Sequence, residues 1–295
     1  MKLKALDLWV IGFALLGSLI ALLFGGSQAA FARSHIFHAV AIATALAAAR
    51  WVSDRGVFWP FLRHGYAVPL FGFFYRDAAN YIFIFFDGWF DPALLRFQAA
   101  IFGESPVIRL SQFTSPELLD FWMIGYGFYY FIAPLAIIIM IYYRRPDVFR
   151  RSMVAAAAAF FVSYTMFFLF PLEGPRYALK GQLPPLEGIF FYPFVMWMQN
   201  NGSIHGGCMP SSHTAVAWVV SFYIAKVHRG IGRIFKILTV LLTVGCVWGR
   251  FHYTADVVVG LIIFALTVWI TERCSVDRAA PVMQARAPRP AELTR

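Results

Sequence analysis

The chain has 295 residues, 60% of them hydrophobic and only 14% charged. A soluble domain carries about 25% charged residues, so a water-soluble globular protein is excluded. The net charge of +10 does not indicate nucleic acid. Its basic residues cluster between hydrophobic runs, as in cytoplasmic loops of membrane proteins, and no basic stripe is interleaved with aromatics.

Seven apolar segments read as membrane crossings in chain order: 8–26, 36–52, 119–143, 153–171, 213–228, 234–250 and 255–271. The first follows Lys2 and Lys4 and reads as a retained span, being long and soon followed by a second hydrophobic run. The stretch Trp59–Phe74 is apolar but carries Pro60, Arg63, His64 and Pro69, which make it a poor simple span. Between Asp77 and Ser111, Leu94, Leu95, Phe97, Ile101 and Phe102 suit the apolar face of a helix lying in the interface. The expected fold is therefore all-α, a polytopic transmembrane helical bundle of six to eight spans with interfacial helices.

Arg144, Arg145, Arg150 and Arg151 in one connection, and Lys226, Arg229, Arg233 and Lys236 in another, mark the cytoplasmic side. Residues 172–212 and the turn at 250–254 then face the opposite side. The lysines before the first span and the basic tail both favour the cytoplasm, which requires an even number of crossings. Seven clear candidates leave that parity open, to be met by a broken span at Trp59–Phe74 or by an N-terminal segment that does not cross fully. The expected organisation is one transmembrane domain over 1–272, with a core at about 119–272 and accessory spans in 1–118. Residues 273–295 are expected to form a flexible cytoplasmic tail. The expected setting is a bacterial inner membrane, with the functional face on the periplasmic side. Cys208, Cys246 and Cys274 show no CxxC spacing, so neither a disulfide nor a zinc framework is expected.

Two segments, 40 residues apart, bring histidine to that outer face: Gly207-Cys208-Met209-Pro210-Ser211-Ser212-His213-Thr214 and Gly249-Arg250-Phe251-His252-Tyr253-Thr254-Ala255-Asp256. His252 and Asp256 are four apart, and a helix beginning there stacks them on one face. A carboxylate on one ring nitrogen leaves the other's lone pair available, as in the nucleophile or base of a dyad. A His–Asp pair that merely anchors a helix end fits the same spacing. Ser211 and Ser212 suit a helix N-cap, where free amides and the dipole attract anions. A phosphate held there has His213 within reach as proton donor. Arg176 and Arg250 lie outside the cytoplasmic clusters, and guanidinium groups clamp phosphate oxygens. Lys180 is a further candidate for the phosphate, or a solvated loop lysine.

Pro210-Ser211-Ser212-His213 followed by His252-Tyr253-Thr254-Ala255-Asp256 resembles the type 2 phosphatidic acid phosphatase superfamily, whose motifs are Pro-Ser-Gly-His and His-x-x-x-Asp. The resemblance covers about residues 119–272, with Arg176 ahead of the two histidine motifs in the family's order. It implies that His252 attacks phosphorus to form a phosphohistidine, His213 protonates the leaving group, and Asp256 orients the nucleophile. It also implies no metal and no cofactor. Three departures stand out: Pro175-Arg176 reverses the usual Arg-Pro order with Leu at position 169, Ser212 replaces glycine, and Cys246 stands where arginine is usual, with Arg250 much nearer. The shortened last motif is similar to the branch with sphingolipid head-group synthases. The resemblance implies a lipid phosphatase or a lipid phosphotransferase that moves a head group onto a second lipid acceptor. A non-catalytic transporter or scaffold is the remaining reading. The expected partners are a lipid phosphate and the membrane, with no nucleic acid.

Overall fold

The computed structural model describes residues 2–25 and 29–274. Among them no strand forms. The chain folds into α1 (Ala5–Phe24), α2 (Ala29–Trp51), α3 (Trp59–Gly65), α4 (Ala67–Ala78), α5 (Asp91–Phe102), α6 (Pro106–Ser111) and α7 (Pro116–Tyr142). These are followed by α8 (Pro146–Leu169), α9 (Pro175–Ala178), α10 (Phe191–Gly202), α11 (Ser212–Val227), α12 (Arg229–Trp248) and α13 (Thr254–Arg273). Helices α1, α2, α7, α8, α12 and α13 are long and apolar enough to cross a membrane. The protein is an all-α polytopic bundle.

Two further passes lie outside these six, and the first, α11, falls on the segment expected at 213–228. Helix α11 has only 16 residues but packs against α7, α8, α12 and α13. Helices α3 and α4 meet at Tyr66, which closes one and opens the other. Pro60 and Pro69 both fall in a first turn, where no amide hydrogen is needed for the helix ladder. Arg63 and Tyr66 donate to Asp7 near the start of α1. Asp77 accepts from His38, whose ring also meets Ser18 on α1. The α3–α4 pair thus runs alongside α1 and makes an eighth pass. Broken helix is tolerated here because neighbouring helices satisfy its polar groups.

An even number of passes returns both outer helices to one end of the bundle, where Lys4 and Arg150 meet Asp54, and Arg151 and Lys226 meet Glu272. Helices α8 and α12 begin earlier, at Pro146 and Arg229, than the hydropathic edges at 153 and 234. Their first two turns carry the arginines of this basic end, which hydropathy trims away. The expected tail falls largely outside the described residues, and Arg273 belongs to α13.

Helix α8 lies at the centre, with Ala155 to Ala159 all buried. Small residues let helices approach where no water drives their association. A Cβ at Gly125 of α7 would lie 2.3 Å from the Leu242 amide of α12. At the end opposite the basic one, α5 inverts the soluble pattern. Asp91 and Gln98 are buried, whereas Phe97, Ile101 and Phe102 face outward. Those three take the orientation expected of a helix lying on lipid, whereas Leu94 and Leu95, expected on the same face, are half-buried against the core.

Candidate active site

The turn between α12 and α13 is built to present His252. The Cys246 carbonyl accepts from the amides of Phe251 at 3.0 Å and His252 at 2.9 Å. To close that turn Arg250 takes a φ of 60°, uncommon for a residue with a side chain. Asp256 then caps α13, its Oδ2 accepting from the Tyr253 amide at 2.8 Å. The Ser211 amide donates to the Asp256 carbonyl at 3.0 Å, which fixes the start of α11 against α13. Gly260 permits this contact, since a Cβ there would lie 2.6 Å from the Ser211 carbonyl oxygen.

The two imidazoles converge. The His213 and His252 ring centroids are 5.8 Å apart. His213 packs against the rings of Tyr129 at 4.5 Å and Tyr126 at 5.3 Å, and its Nδ1 is buried without a partner among the described residues. His252 Nδ1 lies 2.8 Å from the Cys208 carbonyl. A carbonyl only accepts, so Nδ1 carries the proton and Nε2 keeps its lone pair.

Asp256 is the second acceptor beside that nitrogen. Its Oδ2 stands 3.6 Å from His252 Nδ1, and the nearer acceptor is the Cys208 carbonyl. The i,i+4 stack requires both residues on a helix, but α13 begins at Thr254 and leaves His252 in the preceding turn. Asp256 Oδ2 makes the cap and the ion pair with His252, and it also accepts from the Cys208 thiol at 2.9 Å. Burial, then the nearby Asp256 charge, pushes that thiol well above its ordinary pKa.

His213 and His252 open on one cleft, lined also by Tyr126, Gly174, Arg176, Gln199 and Cys208, with about 40 Å³ of room for water-sized groups. Arg176 lies on the single turn α9, just after Gly174, whose φ of 93° suits glycine. Asp91 holds this turn in place. Its carboxylate accepts from the Glu173 and Gly174 amides at 2.7 and 2.9 Å and from the Tyr253 hydroxyl at 2.8 Å. One side chain thereby links the arginine turn to the His252 turn. Arg176 donates to Asn200 of α10 and stacks over Tyr177.

Four residues expected to meet phosphate are not brought into the cleft. Arg250 donates to Ser111 Oγ at 3.0 Å and to the Pro184 carbonyl at 2.7 Å, anchoring a loop, and burial lowers its pKa. Ser211 caps α11 through the Thr214 amide and packs on Cys246. Ser212 is buried beside it, and Lys180 is exposed outside the cleft. The N-cap expectation identified the helix start correctly, but the Ser211 hydroxyl is used by that helix's own amide.

Sequence reasoning missed Asp91, Asp120, Gln199 and Cys208. Asp91-Pro92 is legible as a helix start, but its partners lie more than 80 residues away. Asp120 accepts four successive amides, Ile189 to Tyr192, and so seats α10. The aromatic stretch 190–198 forms most of that helix. Val195 packs inward while Phe190 and Trp197 face outward, and Gln199 donates to the Tyr126 hydroxyl beside the cleft.

The family model of the PAP2 superfamily matches residues 93–270, more than half of the chain. No curated protein and no solved structure matches it. The matched range opens in α5, just after Asp91, and includes Arg176 and both histidine segments. With that extent of match, the chain belongs to the PAP2 superfamily.

Proposed function

We propose that the protein hydrolyses a phosphate ester or diphosphate of a lipid through a phosphohistidine on His252. Membership of the PAP2 superfamily supports phosphatase- or phosphotransferase-type chemistry. The observation that carries the finer reading is the pair of rings 5.8 Å apart, with Arg176 on the same cleft.

In this reading His252 Nε2 attacks phosphorus while His213 gives a proton to the departing oxygen. The attacking ring becomes positive, and the Cys208 carbonyl and the Asp256 carboxylate stabilise that charge. Arg176 neutralises the phosphoryl oxygens, so the charge is met by side chains and no metal ion takes part. His213, now neutral, takes a proton from water, which attacks the phosphohistidine and releases phosphate. Hydrolysis is favoured over transfer to a second lipid because the cleft's mouth is polar: Glu173 and Arg176 line it beside the exposed Tyr177. The clustering of Lys4, Arg150, Arg151 and Lys226 at the opposite end supports a site facing away from the cytoplasm.

The test uses purified protein in detergent, given phosphatidic acid or an isoprenyl diphosphate with a sphingolipid acceptor present. We expect phosphate release that persists in chelator and falls by at least about 10⁴-fold in His252→Ala. Full activity in that variant removes His252 from the reaction. Mass spectrometry that finds the phospho-group on the acceptor, with no free phosphate, replaces hydrolysis by transfer.

A further inference from the structure

Behind the proposed nucleophile lies a group of donors that the reaction leaves partly unused. Cys208 Sγ, His252 Nδ1 and Asp256 each offer a ligand atom, all within 4.8 Å of one another, and all three residues are buried. The thiol is 2.9 Å from Asp256 Oδ2 and 3.7 Å from His252 Nδ1, and the last two are 3.6 Å apart. A tetrahedral zinc ion, with bonds of about 2.3 Å to sulfur and about 2.0 Å to nitrogen and oxygen, spaces its ligands about 3.3–3.5 Å apart. The three donors match one face of that tetrahedron to within a few tenths of an ångström for two edges, and Cys208 must open by about 0.6 Å for the third. Asp256 Oδ1 is buried with no hydrogen-bond partner among the described residues. Cys208 and His252 both line the cleft, which provides a route in and a place for water as fourth ligand.

We propose that Cys208, His252 and Asp256 bind one thiophilic divalent cation of the zinc type, and that its binding stops turnover. The inhibitory half rests on the reading of His252 as nucleophile; the binding half does not. On binding, the thiol loses its proton to solvent, and thiolate and carboxylate together balance the ion's two charges. Nδ1 gives its lone pair to the metal and leaves the Cys208 carbonyl. The ring's single proton moves to Nε2, so the imidazole stays neutral. Nε2 then has no lone pair to direct at phosphorus. The ion works by locking the wrong tautomer.

The experiment titrates chelator-treated protein in detergent with Cd²⁺ and follows the ultraviolet thiolate-to-metal charge-transfer band. We expect saturation at one equivalent, displacement by Zn²⁺, and retention of the band in a Cys246→Ser, Cys274→Ser double variant. The band should vanish in Cys208→Ser and weaken at least 10-fold in affinity in His252→Gln, two separate ligand deletions checked for monodisperse elution. No band in the parent protein, or an undiminished one in Cys208→Ser, overturns the site. In parallel, Zn²⁺ should inhibit phosphate release at least 10-fold, reversibly with chelator. Cys208→Ser, measured against its own zinc-free rate, should lose that sensitivity. If His252→Ala stays active while the parent protein shows the Cd²⁺ band, the nucleophile reading fails and the metal site stands. If His252→Ala is inactive and the saturated site leaves turnover unchanged, the inhibitory half fails alone.

Discussion

Two of the histidine–aspartate pairs among the described residues, His38–Asp77 and His252–Asp256, lie on opposite sides of the central helix and are built differently. His38 is 1% exposed and His252 is 3% exposed, so burial does not separate them. His38 uses both ring nitrogens: Nδ1 meets Ser18 Oγ at 2.9 Å and Nε2 meets Asp77 Oδ2 at 2.9 Å. Gly17 leaves just enough space for the ring, since a Cβ there would lie 2.7 Å from its Cε1. The result is a tie between α1, α2 and α4. His252 uses one nitrogen on the Cys208 carbonyl, and its ring lies 5.8 Å from that of His213 on the cleft that Arg176 also lines. The open pair keeps one nitrogen unspent beside a cleft, and the closed pair does not.

Substitutions at three residues sharpen that contrast. Arg176→Ala strips the open pair of its cation, and kcat/KM should fall by about 10²–10³-fold, the scale of one lost charge-stabilising donor. Arg176→Lys should recover part of that loss, because it keeps the charge without the paired donors. A rate within twofold of the parent for Arg176→Ala would remove the residue from the phosphate.

Asp91→Asn tests placement instead of contact. It sets an amide against two backbone donors and the Tyr253 hydroxyl, so both turns should shift. We expect kcat to drop about 10- to 100-fold, since small misplacements of reacting groups are costly. KM should change much less. A KM effect with kcat intact would assign Asp91 to binding.

His38→Ala completes the comparison from the closed pair. Activity should stay within about threefold, while the loss of two buried hydrogen bonds costs about 1–3 kcal/mol. Thermal unfolding in detergent reads that cost as a lowered midpoint. If kcat collapses with the melting temperature unchanged, the closed pair takes part in function after all.

Much of the bundle was legible because lipid leaves few options. Backbone polar groups must be paired within each spanning segment, so long apolar runs become helices, and seven were marked near their observed places. The eighth was hidden at Trp59–Ala78, where Arg63 and His64 look unaffordable until Asp7 and Asp54 are seen beside them. Ser212-His213 and His252 were legible through motif spacing. Arg250 was misread because its distance in sequence from His252 says nothing about where a residue at φ 60° sends its side chain.

By itself the sequence determined that this chain lives in a bilayer, which end is basic, and which two histidines are candidates for one reaction. Those are properties of composition and of neighbours along the chain. Only the tertiary structure decided that the Cys208 carbonyl lies nearer His252 Nδ1 than Asp256 does, that Asp91 joins the two turns, and that a thiol stands beside both. Each depends on partners 44 to 162 residues apart. Contacts at that range are set by how eight passes pack, and no local pattern of residue types encodes them.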